Sequence, residues 1–299
     1  DGSSRDRDLK IRPATKSDKE EILSFCVNTF SWGDYINRVW DYWYRSGRLL
    51  VVEDRGRKIA MSHVAICPDG SSMWLEGVRV RPDYRRSQIA TKLLAKMIQY
   101  GRQRGARQAS AIVDVTNVAS QRMMEKSGFA VISKWVYYRV GGRPRRKMSG
   151  ARLATTGELE SIWRYLQHSE IYSLSAKRYV KSWHWYSLDR KALKNFIREK
   201  RVIVAGRPVD GVAIINRHGY WDKTSILQIV YLDAASAGAL GHLVSFVTNI
   251  YLDGEFEGLQ LVCYDSKRLT SFIEKFMIKD EEQFLLYGKV FTAKATPSR

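Results

Sequence analysis

The sequence predicts an α/β chain, an α+β mixed sheet with helices packed on it, built as two tandem copies of one domain. Three observations carry this. Residues 73–80 read as a strand that Pro82 stops, and from Ile89 the apolar residues fall at helical spacing, Ile89, Leu93 and Met97 beside Ala90, Leu94 and Ile98. Residues 109–115 are apolar enough to be a strand buried on both faces, so the helix between the two strands predicts a right-handed βαβ crossover. Finally, Ile11-Arg12-Pro13-Ala14-Thr15 is echoed by Ala151-Arg152-Leu153-Ala154-Thr155, and residues 51–61 by 202–213. The echo extends from 75–80 to 227–232, from 112–115 to 261–264, and to a closing strand at 284–290. A period of about 140 to 150 residues is too long for a solenoid and fits a duplicated domain.

Taken in order, residues 1–8 are polar, 9–12 form a short strand, and 17–29 form a helix that turns Ile22, Phe25 and Cys26 inward. Ser17 is its expected N-cap, with Glu20 completing a capping box. A second helix, 34–44, carries Tyr35, Trp40, Tyr42, Trp43 and Tyr44, aromatic residues suited to core or lid packing. Residues 49–53 and 59–66 read as a hairpin turning at Asp54-Arg55-Gly56-Arg57. The long helix after the central turn ends near Arg104 at Gly105. Residues 141–150, with Pro144 and the basic run Arg143, Arg145, Arg146 and Lys147, read as a linker. The expected domains are therefore 9–140 and 151–293, joined by 141–150.

A chain of 299 residues with 44% hydrophobic content suits two cores better than one. No apolar run approaches the ~20 residues that span a bilayer, and the polar start is unlike a secretory signal, so a soluble, cytoplasmic protein is expected. Cys26, Cys67 and Cys263 lie far apart, which argues against a disulfide framework or a zinc site and predicts small buried apolar residues. No metal site is expected. The net charge of +19 is unevenly shared: 29 Lys and Arg against 15 Asp and Glu, +14, for residues 1–147, and 21 against 16, +5, for 148–299. That field favours anionic partners: a nucleotide cofactor, an acidic substrate, RNA or the ribosome. Residues 176–201 interleave nine Lys or Arg with Tyr179, Trp183, His184, Trp185 and Tyr186. Such a segment can grip RNA or an anionic peptide, but the plainer reading is a charged helix surface over an aromatic packing stripe.

The central turn carries the chemistry. Backbone N–H groups of the first turn of a helix have no intrahelical partner and sit at the positive end of its dipole, so they can hold a pyrophosphate. Arg85 and Arg86 add charge there. These residues resemble the acetyl-coenzyme A loop of the GCN5-related N-acetyltransferase (GNAT) family, Gln or Arg, two of any kind, Gly, any, then Gly or Ala. Arg85, Ile89 and Ala90 fit, and Gln88 stands where the family has its first Gly. A second family signature, Asn near a strand end, a short helix that often carries a Tyr, then Gly-Phe, is matched by Asn117, Gly128 and Phe129, with Met124 at the Tyr position.

The resemblance covers about residues 9–140 and implies an acyl-CoA N-acyltransferase fold, with acetyl-CoA as donor and a primary amine of a small molecule, peptide or protein as acceptor. It implies a cofactor site at Val78, Val80, Arg85, Arg86, Ser87, Gln88, Ile89, Ala90, Thr91, Asn117 and Ser120, with Val78 and Val80 offering backbone N–H groups to the thioester if the strand bulges. Glu76, on the strand leading to the loop, is the expected base, and His63 a second candidate. With Met124 at the Tyr position, Tyr138 or Tyr137 becomes the candidate acid. In the second copy the turn Asp233-Ala234-Ala235-Ser236 lacks arginine and places an acid there, so that copy is expected to be degenerate. Two alternatives share these features: a nucleic-acid or ribosome-associated module on the same fold, and a CoA-binding regulator without turnover.

Overall fold

The computed structural model describes residues 9–27, 29, 33–67, 70–141, 144–217 and 225–291. They divide into two compact units. The first contains the described residues up to Val113, residues 117–130 and those from Tyr287 on; the second contains residues 114–116 and 131–286.

The first unit opens with β1 (Leu9–Pro13), α1 (Lys19–Cys26) and α2 (Ile36–Arg45). A short 3-10 turn, Lys16–Asp18, precedes α1, and the cap is Thr15 with Asp18 rather than Ser17 with Glu20. Asp18 draws the cap inward: its carboxylate is buried, receives Thr15 N–H at 2.6 Å and forms an ion pair with Arg12 at 2.7 Å. Burial alone would raise its pKa, but these hydrogen bonds outweigh that and hold it at about 2. In α2 the spacing of Ile36, Val39, Trp40 and Trp43 buries one stripe. The hairpin β2 (Leu49–Asp54) and β3 (Arg57–Ile66) turns on Arg55 and Gly56, both with positive φ, as a two-residue hairpin turn of matching twist requires.

There follow β4 (Ser72–Val80), α3 (Ile89–Gln103), β5 (Gln108–Asp114) and α4 (Val118–Lys126). The strands lie in the order β1-β2-β3-β4-β5, antiparallel except for the parallel pair β4 and β5. Helix α3 buries Ile89, Leu93, Leu94 and Met97 and ends before Gly105, whose φ is +92°. Of the three free cysteines, Cys26 and Cys263 are buried and Cys67 is half-exposed.

The second unit is formed by β6 (Ala130–Val140), β7 (Arg152–Leu153), α5 (Leu159–His168), α6 (Glu170–Leu174), β8 (Arg178–Lys181), β9 (His184–Ser187), α7 (Arg190–Arg198), β10 (Val202–Ala205), β11 (Gly211–Asn216), β12 (Ile226–Ala234), α8 (Ala237–Asp253), β13 (Gly258–Tyr264), α9 (Lys267–Ile273) and most of β14 (Met277–Val290). Here β7, β10, β11, β12 and β13 repeat the spatial order of β1 to β5, again with one parallel pair, β12 and β13. The first-turn chemistry repeats too. Thr155 and Glu158 form a capping box and Glu158 pairs with Arg152, as Thr15, Asp18 and Arg12 do.

The closing strands differ from expectation. Residues 131–140 of β6 group with the second unit, pairing antiparallel with β13 from Arg139 opposite Gln260 to Trp135 opposite Tyr264. The residues from Tyr287 on group with the first unit, where Phe291 N–H bonds Arg107 O at 2.8 Å and Lys289 Nζ bonds Ser127 O at 2.6 Å. Each unit is thus closed by a strand that follows the other in sequence. Alternation marks both segments as strands but carries no information about their partners.

The basic, aromatic segment 176–201 forms β8, β9 and α7, and its rings are engaged in packing. Trp185 is buried edge-on to Trp135, Tyr179 packs edge-on to Phe196, and Trp183 packs on Tyr137 and Phe284. The packing expected of these rings is present, but on the β8–β9 hairpin rather than on a helix, with Trp185 buried and Tyr179, Trp183, His184 and Tyr186 half-buried. No described helix is long and apolar enough to cross a membrane.

Candidate active site

Strand β4 organises the site. His63 on β3 lies opposite Glu76, yet Met61 lies opposite Arg79, so β4 carries one extra residue at Gly77-Val78. The bulge anticipated for Val78 is present, with Val78 outside the register and Val80 back in it opposite Ala60. Gly77 makes it: φ is +68°, and a Cβ would stand 2.5 Å from Trp43 Cζ3 and 2.7 Å from Cη2. Gly77→Ala should therefore lower stability by about 2–4 kcal/mol, from left-handed strain plus the clash. Denaturant unfolding of the full chain checks this; an unchanged midpoint would contradict the packing described.

The bulge sets Glu76 against His63. Nδ1 of the imidazole is 2.7 Å from Glu76 Oε1, and its Nε2 is 3.0 Å from Ser46 Oγ. Trp43 stacks on the ring at 4.6 Å with the planes 4° apart. Ser46 Oγ donates to Trp43 O at 2.6 Å and accepts Arg48 N–H at 3.3 Å, which anchors the end of α2 that meets the imidazole. Across the same strand, Arg79 forms a two-pronged ion pair with Asp34, Nε to Oδ2 at 2.7 Å and Nη2 to Oδ1 at 3.0 Å, under the Tyr35 ring. Burial pushes the Tyr35 phenol and the nearby Cys26 thiol up to about 12 each, so Cys26 is no thiolate nucleophile at neutral pH.

Beyond β4 the chain turns into α3 at the place where the sequence puts the cofactor loop. Arg86 and Gln88 both adopt left-handed backbone, φ +65° and +61°. Gln88 thus takes the conformation for which glycine is the usual choice, at a cost in strain, and caps α3. The first helical bond runs from Lys92 N–H to Gln88 O at 3.0 Å, so the amides of Ile89, Ala90 and Thr91 precede it. Arg85 and Arg86 are exposed beside them, and Ser87 Oγ ties the turn to Tyr84 O. Sequence reasoning missed one feature. Strands β4 and β5 pair from Ser72 opposite Gln108 to Trp74 opposite Ser110, before the bulge is reached. Asn117 caps α4 through its side-chain oxygen, which accepts Ser120 N–H at 3.1 Å.

Tyr138, the expected acid, is not among the first unit's residues. It belongs to the second unit, is fully buried, and donates to Glu274 Oε1 at 3.3 Å. Burial pushes its phenol far above the usual range. Tyr137 packs on Trp183 in that unit, and Met124 in the first unit is buried. At the turn into α8 in the second unit, Ser236 Oγ caps the helix by accepting Ala239 N–H at 3.1 Å, and Asp233 is buried.

Residues 18–129 match the model of the acetyltransferase (GNAT) family. This segment is a GNAT acetyltransferase domain. It is similar to histidine N-acetyltransferase of Oreochromis niloticus, 31% identical over 88 residues, which are 29% of this chain and 26% of that protein. It is also similar to aminoglycoside N(6')-acetyltransferase type 1 of Serratia marcescens, 29% identical over 91 residues, 28% of this chain and 62% of that protein. The chain therefore spans less than two thirds of the relatives it matches. In fold, 94% of the chain superposes on 95% of a GCN5-related N-acetyltransferase from Sphaerobacter thermophilus, with a TM-score of 0.62 and 11% identity. A GCN5-related N-acetyltransferase from Anabaena variabilis gives 0.50 at 13% identity, over 94% of this chain and 72% of that one. The GNAT domain thus contributes β4, its bulge and the turn into α3, and the likeness of fold runs past it through both units.

Proposed function

We propose that this chain is an acetyl-CoA-dependent N-acetyltransferase that acetylates a primary amine, with the chemistry in the GNAT domain. One observation carries the reading: a single strand, β4, holds Glu76 against His63 just before a bulge and then runs into the turn that opens α3. The residues fit acetyl-CoA. The left-handed turn and the helix amides that precede the first helical bond suit a phosphate cradle. Arg85, Arg86, Ser87, Gln88, Ile89, Ala90 and Thr91 would hold the pyrophosphate. Val78 and Val80 would bond the thioester end, and Asn117 and Ser120 the pantetheine arm. Acetyl-CoA supplies an acetyl group already activated as a thioester.

The chain's own task is then to present a neutral amine. An alkyl amine with a pKa near ~10.4 is almost wholly protonated at neutral pH, so a carboxylate that takes its proton, directly or through water, raises the reactive fraction. We assign that role to Glu76. His63, held by Ser46 and stacked on Trp43, acts as a positioning residue: it bonds Oε1 and orients the carboxylate so that Oε2 receives the proton. Tyr138 has no part in this scheme, and departing thiolate is protonated by water. The relatives' names describe transfer to histidine and to aminoglycosides, which supports an amine acceptor here.

We read the chain as two tandem copies of the fold, 9–140 and 151–293 about a 141–150 linker, with their closing strands traded. The second copy, its turn capped by Ser236, is the degenerate one. Three free cysteines suit a reducing compartment such as the cytoplasm. Incubating the full chain with acetyl-CoA and a panel of amino acids, aminoglycosides and peptides tests the proposal. Thiol release that depends on the amine, with an acetylated product by mass, is expected; release that ignores every amine would overturn it.

A further inference from the structure

The carboxyl end of β12 carries a charge that acetyl transfer does not use. Asp233 is fully buried. Tyr165 donates to its Oδ1 at 3.1 Å, and Tyr231 at 2.9 Å and Ser169 donate to Oδ2. Arg268 on α9 stands 3.9 Å from Oδ1, outside hydrogen-bond reach. A buried carboxylate held by three hydroxyls is an arrangement that packing does not require, and such perturbed groups gather at ligand sites.

Two of those residues, Tyr165 and Ser169, also line an open cavity of about 430 Å³ within the second unit, with Arg164, His168, Glu170 and Arg268. That is the size of a small-molecule site, and it lies at the carboxyl end of a strand beside a parallel neighbour, where α/β sheets place ligands. Its floor and rim differ in hydrogen-bonding character. Tyr165 and Ser169 have each committed their one proton to Asp233, and Ser169 Oγ also accepts Tyr172 N–H at 3.2 Å, so what either has left for a ligand is a lone pair. The rim offers donors. Arg164 has no carboxylate partner among the described residues, and Arg268 has only the long contact to Asp233.

A plain anion would meet the lone pairs of the floor with the Asp233 charge behind them, and a plain amine would meet two guanidinium groups. A molecule bearing both charges meets each with its opposite. We propose that this cavity binds a small zwitterionic metabolite of the amino-acid class, its ammonium over the Tyr165 and Ser169 oxygens backed by Asp233, its carboxylate on Arg164 and Arg268. Glu170 on the rim adds to the ammonium side, while Pro208 and Val209 supply an apolar wall for the side chain. The site draws only on residues of the second unit and the turn into α3 only on the first, so the inference does not rest on acetyl-CoA binding.

The test uses the full chain, a panel of the standard L-amino acids at about 10 mM, thermal shift, and calorimetry on those that respond. At least one should raise the melting temperature and titrate one per chain, with its decarboxylated amine and its des-amino acid each binding more than about tenfold more weakly. The exposed pair Arg164→Gln and Arg268→Gln together should weaken it by at least that factor with unchanged circular dichroism. Arg85→Ala with Arg86→Ala should leave it intact. The proposal is overturned if no amino acid binds, if the matched amine or acid binds as tightly, or if binding is lost in the Arg85 and Arg86 variant instead.

Discussion

Glu76→Gln should lower turnover by about 10²- to 10⁴-fold at neutral pH while leaving acetyl-CoA affinity nearly unchanged. The amide keeps the size of the carboxylate and still bonds His63, 2.7 Å away in the parent, so the bulge and the stack on Trp43 survive. What it loses is the capacity to take a proton. Part of the activity should return at high pH, where more of the amine is already neutral. A steady-state pH profile on the identified acceptor checks both points. Wild-type turnover with an unaltered profile would remove Glu76 from the mechanism and make His63 the next residue to examine. Loss of acetyl-CoA binding or of the fold would assign the carboxylate a structural role beside His63.

A chain that ends at Phe276 should fail to fold as the full chain does, because β14 closes parts of both units. In the first unit the loss removes Tyr287, fully buried with its hydroxyl donating to Glu125 Oε1 at 3.2 Å, and the Lys289 bond to Ser127 O. In the second it removes Phe284 and Leu286, 8% and 1% exposed. Deleting large buried side chains costs about 2–5 kcal/mol each, and a domain's whole stability is about 5–15 kcal/mol. Hydrogen exchange should find the amides of β5 and α4 unprotected in the shortened chain. Native protection there, with acetyl-CoA binding retained, would show that the traded strand is dispensable.

Local signals made much of this legible before the structure. Pro82 stops β4, Gly105 ends α3, and Arg55-Gly56 turns the hairpin, each through backbone preferences confined to a few residues. The place of the turn into α3 was legible; that Gln88, standing where the family has glycine, keeps the left-handed backbone was not. What sequence could not supply was partnership. His63 and Glu76 meet only because a bulge shifts the register of two strands, and Ser46 joins them from the end of α2. Tyr138 looked available as an acid on its strand, yet β6 pairs with β13 and buries it. The cap moved from Ser17 to Thr15 for a similar reason: Arg12 and the buried Asp18 fix the first turn through contacts that a propensity at Ser17 does not report.

Calorimetry of the full chain with acetyl-CoA tests the central claim most directly. One molecule should bind per chain, because α3 opens from an uncommitted turn while Ser236 caps the matching turn of α8. Arg85→Ala with Arg86→Ala should weaken that binding by about tenfold or more without changing the stoichiometry. Absence of heat and of thermal shift at about millimolar acetyl-CoA, or two equal sites per chain, would contradict the account.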